Sequence, residues 1–516
     1  MALTELYQMM KLKKCMKNFL NKIFLFLIIG YSFSTAQIVQ KDTTKKNLTI
    51  NSLAEIREQL DDYFGDQNFA NAFWGVMVKS LKTGEIIYKR NADKLFIPAS
   101  NMKLFTSAAA LLALGSNYKY QTDIYANGVL LRGTLKGDLI IQGSGDPTIS
   151  NRFIEGNVTK IFEQWADTLK AKGIYEITGN IYGDDSFFDN EDFGKGWLMD
   201  YESNWFAPSS NALSFNNNMI EIRIEPTQVN FPAKIYTIPQ TDYVSIVSGV
   251  FTKDQTNETN ISISKIKGTN IIKVNGQISI AEKPVSKFVA VTNPALYFLT
   301  VLKETFEKNG IVVRGRVNTL EGENIDIDFD NLIPLYSHRS VQLKYILKEM
   351  NKNSNNFYAE QILKTIGLEE NDFGSIENGV NACIKYFNQI GINMDNLVMA
   401  DGSGLSRLNL VTPRQIVNLL TFMYKHEEFD KYYDSLPIAG VDGTLLDRMK
   451  KTVAENNVRA KPGYSDNVSS LSGYLKTISG EPLVFSIIVN NFLTPPIFAN
   501  YIQDSVCQRL INFSRN

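Results

Sequence analysis

Apolar residues recur along this chain with two periods, and the period changes twice. Over 51–64, Leu53, Ile56, Leu60 and Phe64 fall at helical spacing and predict an amphipathic helix. Phe73-Trp74-Gly75-Val76-Met77-Val78 and Glu85-Ile86-Ile87-Tyr88 read as two strands of a hairpin around a Lys82-Thr83-Gly84 turn. A second helix is predicted to start near Pro98, which suits a first helical turn, and the Ala- and Leu-rich run to Leu112 propagates it. From about 120 to 330 the texture is one of short alternating strands with Gly and Asn turns, as at 134–141, 177–182 and 271–278. Helical pieces near 153–172 and 294–309 interrupt them. The helical period returns at 340–350, 355–366, 374–389 and 413–425. Strands at 473–478 and 483–489 around Ser479-Gly480-Glu481, then a helix over 497–512, close the chain. Helices and strands at both ends with a β-rich stretch between them predict one domain interrupted by an insertion.

The first 36 residues stand apart from this pattern. Lys11, Lys13, Lys14, Lys17 and Lys22 form a basic region, Ile23 to Phe33 is apolar, and Ser34-Thr35-Ala36 supplies small residues before Gln37. That order is a secretory signal peptide over 1–36, and it implies a periplasmic or otherwise exported protein. The apolar run is short for a membrane span, so no integral span is expected after cleavage; an uncleaved anchor is the alternative. Cys15 precedes the apolar run and is no lipid-attachment site. Residues 37–50 are polar and read as a tether.

The chain has 516 residues, 44% of them hydrophobic and 21% charged, enough for a sizeable globular core. Its formal net charge is −1; cleavage at 36 removes five Lys and one Glu, a net +4, and leaves −5. No basic stripe points to nucleic acid. No Cys/His cluster has metal-ligand spacing, and no metal or organic cofactor is implied. Cys383 and Cys507 fall in helices; two such cysteines are more often small buried hydrophobes than a disulfide.

Candidate chemistry begins with Ser100 and Lys103 at the head of the second helix. One turn separates them, so both side chains project from one face. An amine beside a hydroxyl can take its proton, which activates a serine nucleophile without histidine. By itself such a pair is commonly just a solvated helix face. Two further places belong with it. Asn353-Ser354-Asn355-Asn356, between two helices, sets a hydroxyl and a carboxamide two residues apart. Lys461-Pro462-Gly463, at the mouth of the last hairpin, brings a second amine. Its charge would attract a substrate carboxylate and hold the basicity of Lys103 down by repulsion. A Ser-His-Asp triad is a weaker alternative, because only His338 and His426 are present and neither adjoins a nucleophile elbow.

In order and placement these three sites resemble the motifs of the serine penicillin-recognising enzymes: Ser-x-x-Lys, Ser-x-Asn and Lys-Thr-Gly. Longer stretches narrow the resemblance to the class C low-molecular-mass penicillin-binding proteins, the D-alanyl-D-alanine carboxypeptidase/endopeptidase family. They are Gln142-Gly143-Ser144-Gly145-Asp146-Pro147-Thr148, Gly183-Asp184-Asp185-Ser186-Phe187-Phe188 and Trp205-Phe206-Ala207-Pro208-Ser209-Ser210-Asn211-Ala212-Leu213. Asp401-Gly402-Ser403-Gly404-Leu405-Ser406-Arg407 and 436–445 complete the set, and the match spans nearly all of 50–512. Physically, Gly145-Asp146-Pro147 and Asp442-Gly443 are turn chemistry, Asp184-Asp185 reads as a turn or cap, and Ser403 as a loop residue.

The resemblance implies an α/β (α+β) fold: a penicillin-binding transpeptidase-like, serine β-lactamase-like domain from 37–120 plus 335–516, interrupted by a β-rich insertion at 121–334. It implies a serine D-Ala-D-Ala carboxypeptidase/endopeptidase acting on peptidoglycan stem peptides through an acyl-enzyme. Catalytic residues would be Ser100, Lys103, Ser354 and Lys461, with Asn356, Gly463 and Tyr464 binding substrate. The oxyanion would be held by the backbone N–H groups of Ser100 and Tyr464. Peptidoglycan peptides and β-lactam antibiotics are the implied partners.

One residue departs from the family. Its third motif has Thr or Ser, whose hydroxyl helps hold the substrate carboxylate, where this chain has Pro462. Proline offers neither hydroxyl nor N–H. Ser465 and Ser469 are candidates to substitute. The alternative reading is a weakly active or inactive homologue that binds cell-wall peptide. An esterase or β-lactamase on the same fold is a third, disfavoured by the length of the chain.

Overall fold

The structure is a computed structural model that describes residues 50–191 and 193–515. The expected signal peptide and nearly all of the tether lie outside the described residues. Helix α1 (Leu53–Phe64) starts where Ser52 accepts the Glu55 N–H and buries Ile56, Leu60 and Phe64. The hairpin β1 (Phe73–Ser80) and β2 (Ile86–Arg90) follows, then α2 (Met102–Ala113), whose first ten residues are all buried.

The middle of the chain holds β3 (Gln121–Leu131), β4 (Thr134–Gln142), α3 (Lys160–Ala171), β5 (Glu176–Ile177), β6 (Ile181–Asp184), β7 (Met219–Glu225) and β8 (Lys234–Ile238). It continues with β9 (Ser245–Lys253), β10 (Asn260–Lys265), β11 (Ile271–Ser279), β12 (Val285–Ala290), α4 (Pro294–Lys308), β13 (Val312–Val313), β14 (Val317–Thr319) and β15 (Ile333–Arg339). The last part runs α5 (Leu343–Lys352), α6 (Asn356–Asn371), α7 (Ile376–Gln389), α8 (Pro413–Met423), α9 (Phe429–Ser435), β16 (Arg459–Ser465), β17 (Val468–Lys476), β18 (Pro482–Asn490) and α10 (Pro496–Ile511).

The two ends of the chain share one antiparallel sheet, ordered β16-β17-β18-β1-β2. Strand β1 pairs with β18, Phe73 opposite Asn490, so the first hairpin completes a sheet begun by the last three strands. Helices cover both faces. Residues of α2 and α5–α8 share one buried cluster, and those of α1 and α10 share another on the opposite side. The middle strands form a seven-stranded sheet and two three-stranded sheets. Their shared core runs from Ile124 to Val313 around Phe162, Trp165 and Phe298.

Several boundaries differ from the sequence reading. The helix expected over 153–172 starts only at Lys160, because Gly156 has φ +127° and Asn157 turns the chain by accepting from Thr159. The strand expected at 473–478 starts five residues earlier, at Val468. Its first half is Ser- and Gly-rich, and burial between two neighbouring strands holds it extended despite low propensity. Cys383 and Cys507 are free and buried, in different hydrophobic clusters.

Candidate active site

Ser100 stands in a single 3-10 turn, Ala99–Asn101, that runs directly into α2. Ala99 has φ +47°, a left-handed conformation that side chains rarely take. It is held there from both sides. Asn101 donates its side-chain N–H to the Lys461 carbonyl at 2.7 Å, and Ser470 donates its hydroxyl to the Pro98 carbonyl at 2.8 Å. Strained backbone that the surroundings over-determine is typical of functional turns.

Lys103 is completely buried beneath Ser100. Its Nζ lies 3.2 Å from Ser100 Oγ, 2.6 Å from Asn356 Oδ1 and 2.7 Å from the Ser403 carbonyl. A neutral amine has two hydrogens, and the carboxamide oxygen and the carbonyl accept both. The lone pair is then left facing the Ser100 hydroxyl, which can donate to it. Burial pulls the Lys103 pKa from 10.5 down to about 7, against the opposing charges of Glu360 and Asp401. An amine half-neutral near neutral pH is matched to general-base work.

The second motif turns the corner between α5 and α6. Ser354 is itself left-handed, φ +53°, and Asn355 caps α6 by accepting the Tyr358 N–H. Asn356 opens that helix. It accepts from Lys103 and donates its own N–H to the Phe206 carbonyl at 2.7 Å, so the middle of the chain helps to fix its orientation.

The third motif lies on β16, the edge of the sheet. Lys461 is fully buried, and its Nζ donates to Ser354 Oγ at 2.9 Å and to the Pro462 carbonyl at 2.8 Å. Its pKa is well below the lysine range because of burial, with the charge of Lys103 adding to the effect. The like-charge repulsion read from the sequence therefore acts chiefly on Lys461, and burial is what lowers Lys103. Gly463 passes so close to the nucleophile turn that a Cβ there would stand 2.9 Å from Ser100 N and 2.4 Å from Ser470 Oγ. Tyr464, next along the strand, is 61% exposed.

All seven candidate residues thus fall on three neighbouring segments, tied together by Lys103–Asn356, Lys461–Ser354 and Asn101–Lys461. Pro462 is tolerated because an edge strand loses nothing essential with one N–H. Ser469 is no substitute for the missing hydroxyl. It faces α10, where it accepts from Gln503 at 3.1 Å. Ser465 shares the strand face of Lys461 and Gly463 by two-residue alternation.

Other groups had no clear signal in the sequence. Ser403 was expected only as a loop residue; it is one, but its carbonyl holds Lys103. Glu360, four residues beyond Asn356 on α6, is the one acid in the buried run from Phe357 to Ile366, and that break in the pattern was the available cue. Asp184 does turn work, accepting the Ser186 N–H, while Asp185 accepts from the side chain of Asn211 across the fold. His338 packs on Trp165 with Nε2 3.8 Å from Asp146, and His426 accepts the Glu428 N–H.

Comparison with known proteins then fixes the kinship. The D-Ala-D-Ala carboxypeptidase 3 (S13) family matches residues 56–509. The chain belongs to that family. It is therefore a peptide hydrolase of the D-Ala-D-Ala carboxypeptidase class, among the class C low-molecular-mass penicillin-binding proteins. A D-alanyl-D-alanine carboxypeptidase of Actinomadura sp. (strain R39) is 33% identical over 90% of this chain and 85% of its own. The D-alanyl-D-alanine carboxypeptidase DacB of Haemophilus influenzae is 27% identical over 86% of this chain and 89% of its own. A crystal structure of penicillin-binding protein 4 (dacB) from Haemophilus influenzae superposes with a TM-score of 0.75 at 27% identity, covering 87% of this chain and 97% of that one. A second structure of that protein, complexed with a novel β-lactam, gives a TM-score of 0.71 at 26% identity over the same shares of both chains. These S13 relatives are named as carboxypeptidases and lend no support to a binding protein without turnover.

Proposed function

We propose that this S13 protein hydrolyses the D-Ala-D-Ala bond of peptidoglycan stem peptides through an acyl-enzyme on Ser100, and that the same site cuts D-Ala–diamino-acid crosslinks. Neutral Lys103 takes the Ser100 proton as Oγ attacks the carbonyl carbon. The oxyanion is held by the backbone N–H groups of Ser100 and Tyr464. Ser354, hydrogen-bonded to Lys461, passes its proton to the leaving D-Ala amine and is reprotonated from the Lys103 ammonium, which is thereby neutral again. Asn356 keeps Lys103 aimed and receives the peptide amide. Water then attacks the ester; Lys103 accepts its proton and returns it to Ser100 Oγ as the acyl group leaves. β-Lactams acylate the same oxygen.

The observation that carries this reading is the disposition of Lys103 Nζ: 3.2 Å from Ser100 Oγ, with both amine hydrogens engaged by Ser403 and Asn356. The reading divides the chain into a discontinuous catalytic domain, 37–120 with 335–516, and an inserted block at 121–334. Supporting that division, the five-stranded sheet draws only on strands from the two ends, and the core from Ile124 to Val313 is separate from theirs; β15, paired with β3, carries the block's sheet past 335 to Arg339. The 1–36 segment makes it an exported protein, acting where peptidoglycan is; no helix among the described residues is long and apolar enough to cross a membrane.

The test is release of free D-Ala from a stem pentapeptide ending in D-Ala-D-Ala, with a crosslinked dimer as second substrate. Wild type is expected to release D-Ala and to split the dimer, and Ser100→Ala to do neither. Release that survives Ser100→Ala, or a folded wild type that releases none, overturns the assignment.

A further inference from the structure

Two buried carboxylates lie beneath Lys103, and the reaction just described uses neither. Glu360 projects from the same face of α6 as Asn356, one turn further on. Its Oε1 accepts the Ser403 N–H at 2.8 Å and its Oε2 the Gly402 N–H at 3.0 Å. Asp401 Oδ1 accepts from Gly404 N–H at 2.8 Å and from the Asn409 side chain at 2.7 Å. Its Oδ2 accepts from Ser406 N–H at 2.6 Å and from Trp197 Nε1 at 2.9 Å.

The peptide joining Ser403 to Gly404 is therefore gripped at both ends. Its N–H points at the Asp401 carboxylate and its carbonyl accepts from Lys103 Nζ. Charge on Asp401 polarises that carbonyl and makes it a better acceptor for an ammonium. The loop also bears on the nucleophile. Gly404 has φ +83°, and a Cβ there would stand 1.9 Å from the Ala99 carbonyl oxygen. Movement of the loop would disturb Ser100 and Lys103 together.

We propose that Glu360 and Asp401 are positioning residues for Lys103: through the peptide groups of Ser403 and Gly404 they aim its amine at Ser100 and stabilise the ammonium that forms when it takes the serine proton. Lys103 is fully buried, so that ammonium is cut off from bulk water, and the two carboxylates supply the compensation. On β16 the Lys461 amine opposes that ammonium by like charge. Trp197 gives the inserted block a hand in this arrangement, because its N–H withdraws part of the Asp401 charge.

For its catalytic consequence the inference rests on the acyl-enzyme reading; its test does not. Lysine labelled with carbon-13 at Cε is titrated by NMR in wild type, Glu360→Gln and Trp197→Phe, with Lys103→Met to assign the resonance. Burial and the charge of Asp401 raise the Glu360 pKa to about 7, so where Lys103 titrates Glu360 carries part of a charge; Glu360→Gln removes it, and the Lys103 midpoint should fall by a few tenths of a pH unit. Trp197→Phe removes a donor from Asp401, so the midpoint should rise by a few tenths. The pH profile of β-lactam acylation should move in parallel, with apparent substrate affinity unchanged in Glu360→Gln. Midpoints that stay at the wild-type value, or that move together in one direction, overturn the proposal. If Glu360→Gln fails to fold, Trp197→Phe decides alone: a rise supports it and no movement overturns it. A wild type that is never acylated would sink the acyl-enzyme reading yet leave the lysine titration to judge this one.

Discussion

The cleft and the inserted block bury their side chains to opposite ends. In the block, Phe162 stacks on Phe215 with centroids 4.8 Å apart and meets Phe298 edge-on at 4.9 Å, with Trp165 alongside. These four rings carry no titratable group; their contribution is apolar area removed from water and dense contact. In the cleft, two lysines are buried with no acid in direct contact among the described residues, each held by uncharged oxygens. Burying an amine so destabilises its charged form, and here that cost appears as reactivity. The difference teaches that burial alone does not mark a core: what decides is whether the buried group is apolar or is poised to exchange a proton.

Substitutions should separate the two regions. The largest effect is expected for Lys103→Met, which keeps the volume and removes the base. Acylation by penicillin should fall by roughly 10³-fold or more, read by stopped-flow or intact mass, in a protein that still folds. The same substitution should flatten the stability profile above neutrality. Lys103 holds fewer protons folded than unfolded between about 7 and 10.5, so its contribution to stability rises with pH across that window. Acylation that persists in Lys103→Met would break the comparison on the cleft side.

Next comes Trp165→Ala in the inserted core. A fully buried ring removed from a packed cluster should cost about 3–5 kcal/mol in denaturant unfolding. The acylation rate of the molecules that remain folded should change by no more than about twofold. A large loss of rate at undiminished stability would mean that the block acts on the cleft through its apolar core as well as through Phe206 and Trp197. Smaller still is Pro462→Thr. Restoring a hydroxyl for the substrate carboxylate should raise D-Ala release by about tenfold, the worth of one hydrogen bond to a charged group. An unchanged rate would remove Pro462 as a brake. The smallest effect is none at all: a reductant should leave the thermal midpoint where it was, since Cys383 and Cys507 are free thiols. A drop on reduction would contradict that.

What the sequence carried best was the local and the motif-like. Ser100 with Lys103, and Ser354 with Asn356, are fixed by helical spacing and a tight turn, so three or four residues of chain determine their geometry. Lys461 and Gly463 were found by pattern, but not their proximity to Ser100, which depends on β16 packing over the nucleophile turn. The pairing of β1 with β18 joins residues about 400 apart and leaves no local trace. Backbone chemistry was the least legible. The Ser403 carbonyl that takes a Lys103 hydrogen and the Phe206 carbonyl that takes one from Asn356 belong to residues whose side chains say nothing about the role. Strand β17 was half missed for a related reason: Ser470 and Ser472 lower its propensity, yet they are where its buried hydroxyls find Pro98 and Ser486.

The central claim is that an uncharged Lys103 amine draws the proton from Ser100. It is tested most directly by measuring the rate of benzylpenicillin acylation from pH 5 to 9 and mapping the adduct by peptide mass spectrometry. Neutral amine grows as pH rises through the Lys103 pKa, so the rate should climb to a plateau with a midpoint at about 7, and the adduct should sit on Ser100. A rate flat across that range, or an adduct on any other residue, would contradict the account.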